Sequence, residues 1–302
     1  MSTLHFTGAT PDDAAKVDAV VVARLHDLGD GFIVRRALPS AGRRMIGPFI
    51  FLDQMGPADI APGRGIDVRP HPHIGLATVT YLFDGEIRHR DSLGSVVDIE
   101  PGAMNWMTAG RGIAHSERSG DEWRANGGRL SGLQLWVALP RDLEETDPAF
   151  NHYDASELPL VEGDGARARI VAGAAWGRRS PARTFADTIL VDLTLAAGAS
   201  APIDADHEER ALYIASGTVD IGGDRHEPGR LLALQPGQPY RIKADSAARV
   251  ALVGGETVDG PRHIWWNFVS SRRDRIEQAK ADWLAGRFER VPDETEFIPL
   301  PG

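Results

Sequence analysis

Short apolar runs broken by Gly and Pro alternate along almost the whole chain. The first clear ones are Phe32-Ile33-Val34 and Gly47-Pro48-Phe49-Ile50-Phe51-Leu52, the second ending at Asp53 before the turn pair Gly56-Pro57. Ala77–Phe83, rich in β-branched and aromatic residues, closes at Asp84-Gly85, a hairpin signal. Val96–Ile99, Met104–Thr108 and Leu133–Leu139 follow, separated by Pro101-Gly102 and by Ala109-Gly110-Arg111-Gly112. Beyond the acidic stretch 141–165 the pattern resumes at Ala168–Ala172, Thr188–Leu195, Ala211–Ala215, Leu231–Leu234, Tyr240–Lys243 and Ala248–Val253. Strands this short and this evenly spaced predict an all-β protein of two antiparallel sandwich or barrel domains. We place the domains at 1–145 and 146–302, and we read the adjacent acids Glu144-Glu145 as a solvated loop.

One segment near the end has a different period. Ile276, Ala279, Trp283 and Leu284 fall at i, i+3, i+7, i+8, which puts them on one face of a helix. Ser270-Ser271 are placed to cap it, the basic cluster Arg272-Arg273-Asp274-Arg275 lies in its first turn, and Gly286 marks its stop.

The second half also looks like a diverged copy of the first. With Gly85 set on Gly217, Tyr81 falls on Tyr213, and His71 and His73 fall on Ile203 and Ala205. With Pro101-Gly102 set on Pro228-Gly229, His115 and Glu117 fall on Ile242 and Ala244.

Composition narrows the chemistry. There are no cysteines, which removes disulfides, thiolate nucleophiles and cysteine–zinc sites and fits a cytoplasmic chain. Met1–Phe6 has no basic region followed by a long apolar one, so no signal peptide is expected, and no apolar run approaches the roughly 18 residues of a spanning helix. The net charge, 33 − 43 = −10, disfavours direct contact with a phosphate backbone. No phosphate-binding glycine loop, nucleophile elbow or zinc-protease motif is present.

What remains is histidine chemistry in two runs, His71-Pro72-His73 and His115-Ser116-Glu117. Residues two apart on a strand share a face, so each run aims two metal-capable side chains in one direction. Three imidazoles and one carboxylate suit iron, manganese, nickel, copper or zinc, and on an octahedral ion they leave two positions open. Pro72, lacking an N–H, belongs at a strand edge, start or bulge. His89 reads as a polar strand residue or an outer partner of the site. His207 and the remaining histidines lack partners at useful spacing.

The stretches Ile46–Asp53, Pro70–His73, Met104–Glu117 and Gly132–Trp136 together resemble the pirin family of the cupin superfamily, and His263–Ser271 looks like the ending of a bacterial subgroup. The resemblance implies a bicupin with metal only in the N-terminal barrel, held by His71, His73, His115 and Glu117, with Fe(II) the usual ion. It implies a dioxygenase of the quercetin 2,3-dioxygenase type, acting on a small flavonol or related enolic substrate, with Glu117 as base. The alternative it implies is a redox-sensing regulator that binds a protein partner. The enzymatic reading comes first because open coordination positions call for a ligand. Phe51, Trp106 and Met107 are expected to form the pocket walls.

Overall fold

The computed structural model describes Phe6, residues 10–11, 13–27 and 33–302. The features expected at Met1–His5, Asp12 and Phe32 lie outside these residues. The chain is all-β apart from two short helices and one 3-10 turn among the described residues, and it divides into two compact units. One gathers Gln54–Ala155 with the tail Val258–Gly302; the other gathers Ser156–Thr257 with Arg35–Asp53 and the described residues up to His26.

Each unit sets a larger antiparallel sheet against a four-stranded one. In the first unit the larger sheet carries Ala149–Tyr153, Met104–Thr108, Leu76–Asp84 and Gly128–Ala138 side by side in that order. The small sheet runs Asp67–His73, Ile113–Arg118, Ile87–Asp91, Val96–Ile99. In the second unit the order is the same: Ser200–Ile203, Tyr240–Ala244, Val219–Ile221, Asp224–His226 form the small sheet, and Arg230–Ala233, Glu209–Ser216 and Ala248–Gly255 lie adjacent in the large one as Met104–Thr108, Leu76–Asp84 and Gly128–Ala138 do in the first. Gly85 and Gly217, the residues that suggested a repeat, both turn with positive φ, +88° and +74°.

Register refines the repeat. His115 faces His71 and Ile113 faces His73; Ile242 faces Ala201 and Tyr240 faces Ile203. With Ile242 at the place of His115, His71 corresponds to Ala201 and His73 to Ile203, two residues earlier than the sequence alignment put them. The cause is a longer connection: five residues join Ser200–Ile203 to the next strand, against two after His73. The equivalence of Glu117 with Ala244 stands.

The helix spans Arg273–Leu284 and buries Ile276 and Ala279 in a cluster with Ile74 and Phe268, with Trp283 packed at its edge. Leu284, expected on that face, is exposed at the last turn. Ser270 and Ser271 make no side-chain cap to the helix; both hydroxyls donate to the Glu144 carboxylate, at 2.9 and 3.0 Å. Glu144 therefore does not belong to a solvated loop. It is 4 % exposed and lies 2.9 Å from the guanidinium of Arg262, whose side chain is wholly buried. Its neighbour Glu145 points outward to Arg275, 2.7 Å away. No helix among the described residues is long and apolar enough to cross a membrane.

Candidate metal centre

The small sheet of the first unit builds the site. Asp67–His73 and Ile113–Arg118 run antiparallel with His71 and His115 directly opposite, so their rings share the inner face, and His73 follows two residues on. One ring nitrogen from each of His71, His73 and His115 lies within 4.8 Å of those of the other two, and all three side chains are buried. The rings are tilted about a common centre, with centroids 4.4 to 5.1 Å apart.

These nitrogens are short of partners. His71 Nδ1 lies 2.9 Å from the Arg69 carbonyl, which holds the N–H there and leaves the Nε2 lone pair facing inward. His73 Nδ1 and His115 Nε2 are buried with no hydrogen-bond partner. Burial holds the His71 imidazolium pKa down at about 4. Burial, together with the charge of neighbouring histidines, pushes His73 and His115 well below the ordinary range. Three buried imidazoles, two with a ring nitrogen left without a partner, are costly as they stand and are what a borderline transition metal binds. The residues fit a three-histidine metal group.

The Glu117 carboxylate lies outside the group of ring nitrogens within 4.8 Å of one another. A bulge falls between His115 and Glu117, and the Glu117 carboxylate accepts a hydrogen bond from Thr80 Oγ1 at 3.1 Å. Burial raises its pKa above the ordinary carboxylate value, against the lowering effect of the Thr80 bond. Thr80 Oγ1 also lies 2.9 Å from Gln134 Oε1.

The facing wall comes from the larger sheet. Thr78 pairs with Met107 and Trp136, and Thr80 pairs with Asn105 and Gln134, so these six share one face. Trp136 meets His73 edge-on, centroids 5.3 Å apart, and Phe150 stacks on His89 at 4.3 Å. Of the three expected wall residues, Met107 is on this face and its neighbour Trp106 is on the other. Phe51 belongs to the other unit, where the Arg36 guanidinium lies 4.5 Å above its ring.

Sequence reading underrated two inward side chains. His89 Nδ1 lies 3.4 Å from His115 Nδ1, and His89 Nε2 lies 3.1 Å from Asp91 Oδ2. The signal was present: His89 and Asp91 repeat the i, i+2 spacing of the other two runs. His152 has a partner too, with Nδ1 2.7 Å from Asn105 Oδ1. In the second unit every equivalent inner position is apolar. Ala201, Ile203, Val219, Ile221, Ile242 and Ala244 stand where the first has His71, His73, His89, Asp91, His115 and Glu117, and all six are buried in one hydrophobic cluster.

Comparison with known proteins agrees with this architecture. Residues 31–137 match the family model described as Pirin, and residues 190–289 match that of the Pirin C-terminal cupin domain. A pirin-like protein of Caulobacter vibrioides is 51% identical, the match covering 94% of this chain and 99% of that one. Pirin of Rattus norvegicus is 32% identical over 89% of this chain and 91% of its own. Among solved structures, a quercetin 2,3-dioxygenase from Acinetobacter baumannii superposes with a TM-score of 0.88 at 35% identity, covering 94% of this chain and 95% of that one.

Proposed function

The chain belongs to the pirin family, and from that premise we propose that it is a metal-dependent dioxygenase of the quercetin 2,3-dioxygenase type, opening the oxygen ring of a flavonol or a related enolic substrate. The observation that carries the reading is the convergence of three buried histidines, two of them with a ring nitrogen that has no partner. Likeness to the Acinetobacter enzyme supports the substrate class.

In this reading His71, His73 and His115 hold the ion, with Glu117 as the fourth ligand, and iron is the metal we assign. Bound there, the metal supplies Lewis acidity toward an enolic oxygen and access to O₂ chemistry. The protein supplies the rest. Glu117, held on the inner face by Thr80, is placed to take the proton of the substrate 3-hydroxyl. Trp136, Met107 and Phe150 give a flat apolar surface for aromatic rings. Asn105 and Gln134 put polar side chains on the same face for substrate hydroxyls.

Aerobic incubation of the protein with quercetin tests this, after loading with iron, manganese, nickel or copper in separate arms. Loss of quercetin matched by release of carbon monoxide is expected with at least one metal, and the Glu117→Gln variant should still bind quercetin while turnover collapses. Absence of turnover with all four metals would remove the flavonol assignment.

A further inference from the structure

We propose that His89 and Asp91 form a carboxylate–imidazole relay that fixes the tautomer and orientation of His115, making them positioning residues for the metal centre. The proposal rests on the three-histidine metal reading above, and not on the identity of the substrate.

Donor and acceptor accounting leads to it. Asp91 is fully buried, and its Oδ1 accepts the backbone N–H groups of Leu93 at 2.9 Å and Ser95 at 3.0 Å. A carboxylate held this way is an acceptor at its other oxygen as well, so Oδ2, 3.1 Å from His89 Nε2, receives the proton that nitrogen carries. The relay takes His89 as neutral; with its proton on Nε2 it then offers only a lone pair at Nδ1. That lone pair faces His115 Nδ1 at 3.4 Å, so His115 must carry its own proton on Nδ1. The remaining His115 nitrogen, Nε2, is then an unprotonated lone pair, and it is the buried atom left without a partner on a ring whose centroid lies 4.4 and 5.0 Å from those of His71 and His73. Each link assigns the next, and the chain ends on the orphaned atom.

Two further observations agree. Stacking of His89 on Phe150, with planes 12° apart, restrains the intermediate ring, as a relay through two imidazoles requires. The pair is also absent together with the ligands: in the second unit Val219 and Ile221 occupy the places of His89 and Asp91. Packing needs alone would not link the two losses, whereas a pair that serves the ligands has no use where the ligands are gone. Partners of this kind raise the basicity of a ligating imidazole and select which nitrogen binds.

The test is made on the Zn(II)-loaded full-length protein. Nitrogen-15 NMR of the histidine rings reads the tautomers, and chelator competition reads Zn(II) affinity. The proton of His115 is expected on Nδ1 and that of His89 on Nε2. His89→Phe, which keeps a flat ring against Phe150 but has no ring nitrogen, should weaken Zn(II) binding by about 10–100-fold. Asp91→Asn should weaken it in the same direction, and His89→Gln, which restores an acceptor and a donor, should recover part of the loss. Asp98→Asn, which breaks the outward Arg88 pair on the same sheet, should leave affinity unchanged. If Asp91→Asn fails to fold, the two His89 variants decide. A His115 proton on Nε2, or wild-type affinity in His89→Phe, would overturn the relay. Quercetin turnover enters neither readout, so loss of the flavonol assignment would leave this result standing.

Discussion

At the residue scale the site is a set of buried neutral imidazoles, and this has a consequence for stability. His71 holds its pKa near 4 in the folded chain, against about 6.5 when unfolded. Between those values the unfolded chain binds the extra proton, so folding stability rises with pH there. The metal-free protein should therefore keep the His71 contribution above pH 6.5 and lose it progressively as pH falls toward 4; the shifts at His73 and His115 act in the same direction. Urea unfolding of the metal-free protein across this range checks it. A flat stability profile from pH 7 to 4 would contradict the burial of neutral rings. The two ligand runs were legible because period-2 spacing alone puts paired side chains on one face. The choice between Trp106 and Met107 was not, because a run of five buried residues has no polar alternation to mark its inner side. His89 was visible as a spaced pair with Asp91, but its contact with His115 joins residues 26 apart in sequence.

At the element scale the tail Val258–Gly302 secures the strands that carry the ligands. Val269 N donates to the Ile74 carbonyl and Ile298 N to that of Pro70, while Glu294 accepts from Ser116 and Arg118, the latter at 2.9 and 2.7 Å. The Asn267 carbonyl accepts a hydrogen bond from His73 itself. Gly75, with φ at +69°, leaves no Cβ where the Val269 carbonyl approaches the ligand strand. Periodicity shows that the helix has a face to cover and not which barrel covers it, so this docking was hidden. The same holds for Glu144, whose partner Arg262 is far along the chain. Removing one partner of a buried pair costs about 3–5 kcal/mol when it strands the other charge, but Arg262 also pairs with Asp259. Glu144→Ala should therefore lose stability in chemical denaturation by less than that, with Asp259 still compensating Arg262 and the Ser270 and Ser271 hydroxyls losing their acceptor. A change below about 0.5 kcal/mol, the range of an ordinary surface substitution, would show that the pair is not buried in solution.

At the scale of the whole molecule one strand order is used twice, with opposite interiors. Six inward positions of the first small sheet carry three ligand histidines, a His–Asp pair and a glutamate, and the matching six of the second carry Ala, Ile and Val. Apolar side chains at these six positions need no hydrogen bonds, so this face of the second barrel packs as ordinary core. The two-barrel organisation was legible from the spacing of short strands, and the loss of ligands from aligning the halves. The two-residue slip at His71 arose because sequence alignment cannot see where a loop has lengthened.

The central claim is that this chain holds a single metal centre, in the first barrel and on those three histidines. Metal content per chain, measured by mass spectrometry after loading with Fe(II) under anaerobic conditions and desalting, tests it directly, with His115→Ala measured alongside. One ion per chain, lost in the variant, is the expected result; an ion retained without His115, or a second ion in the unaltered protein, would contradict it.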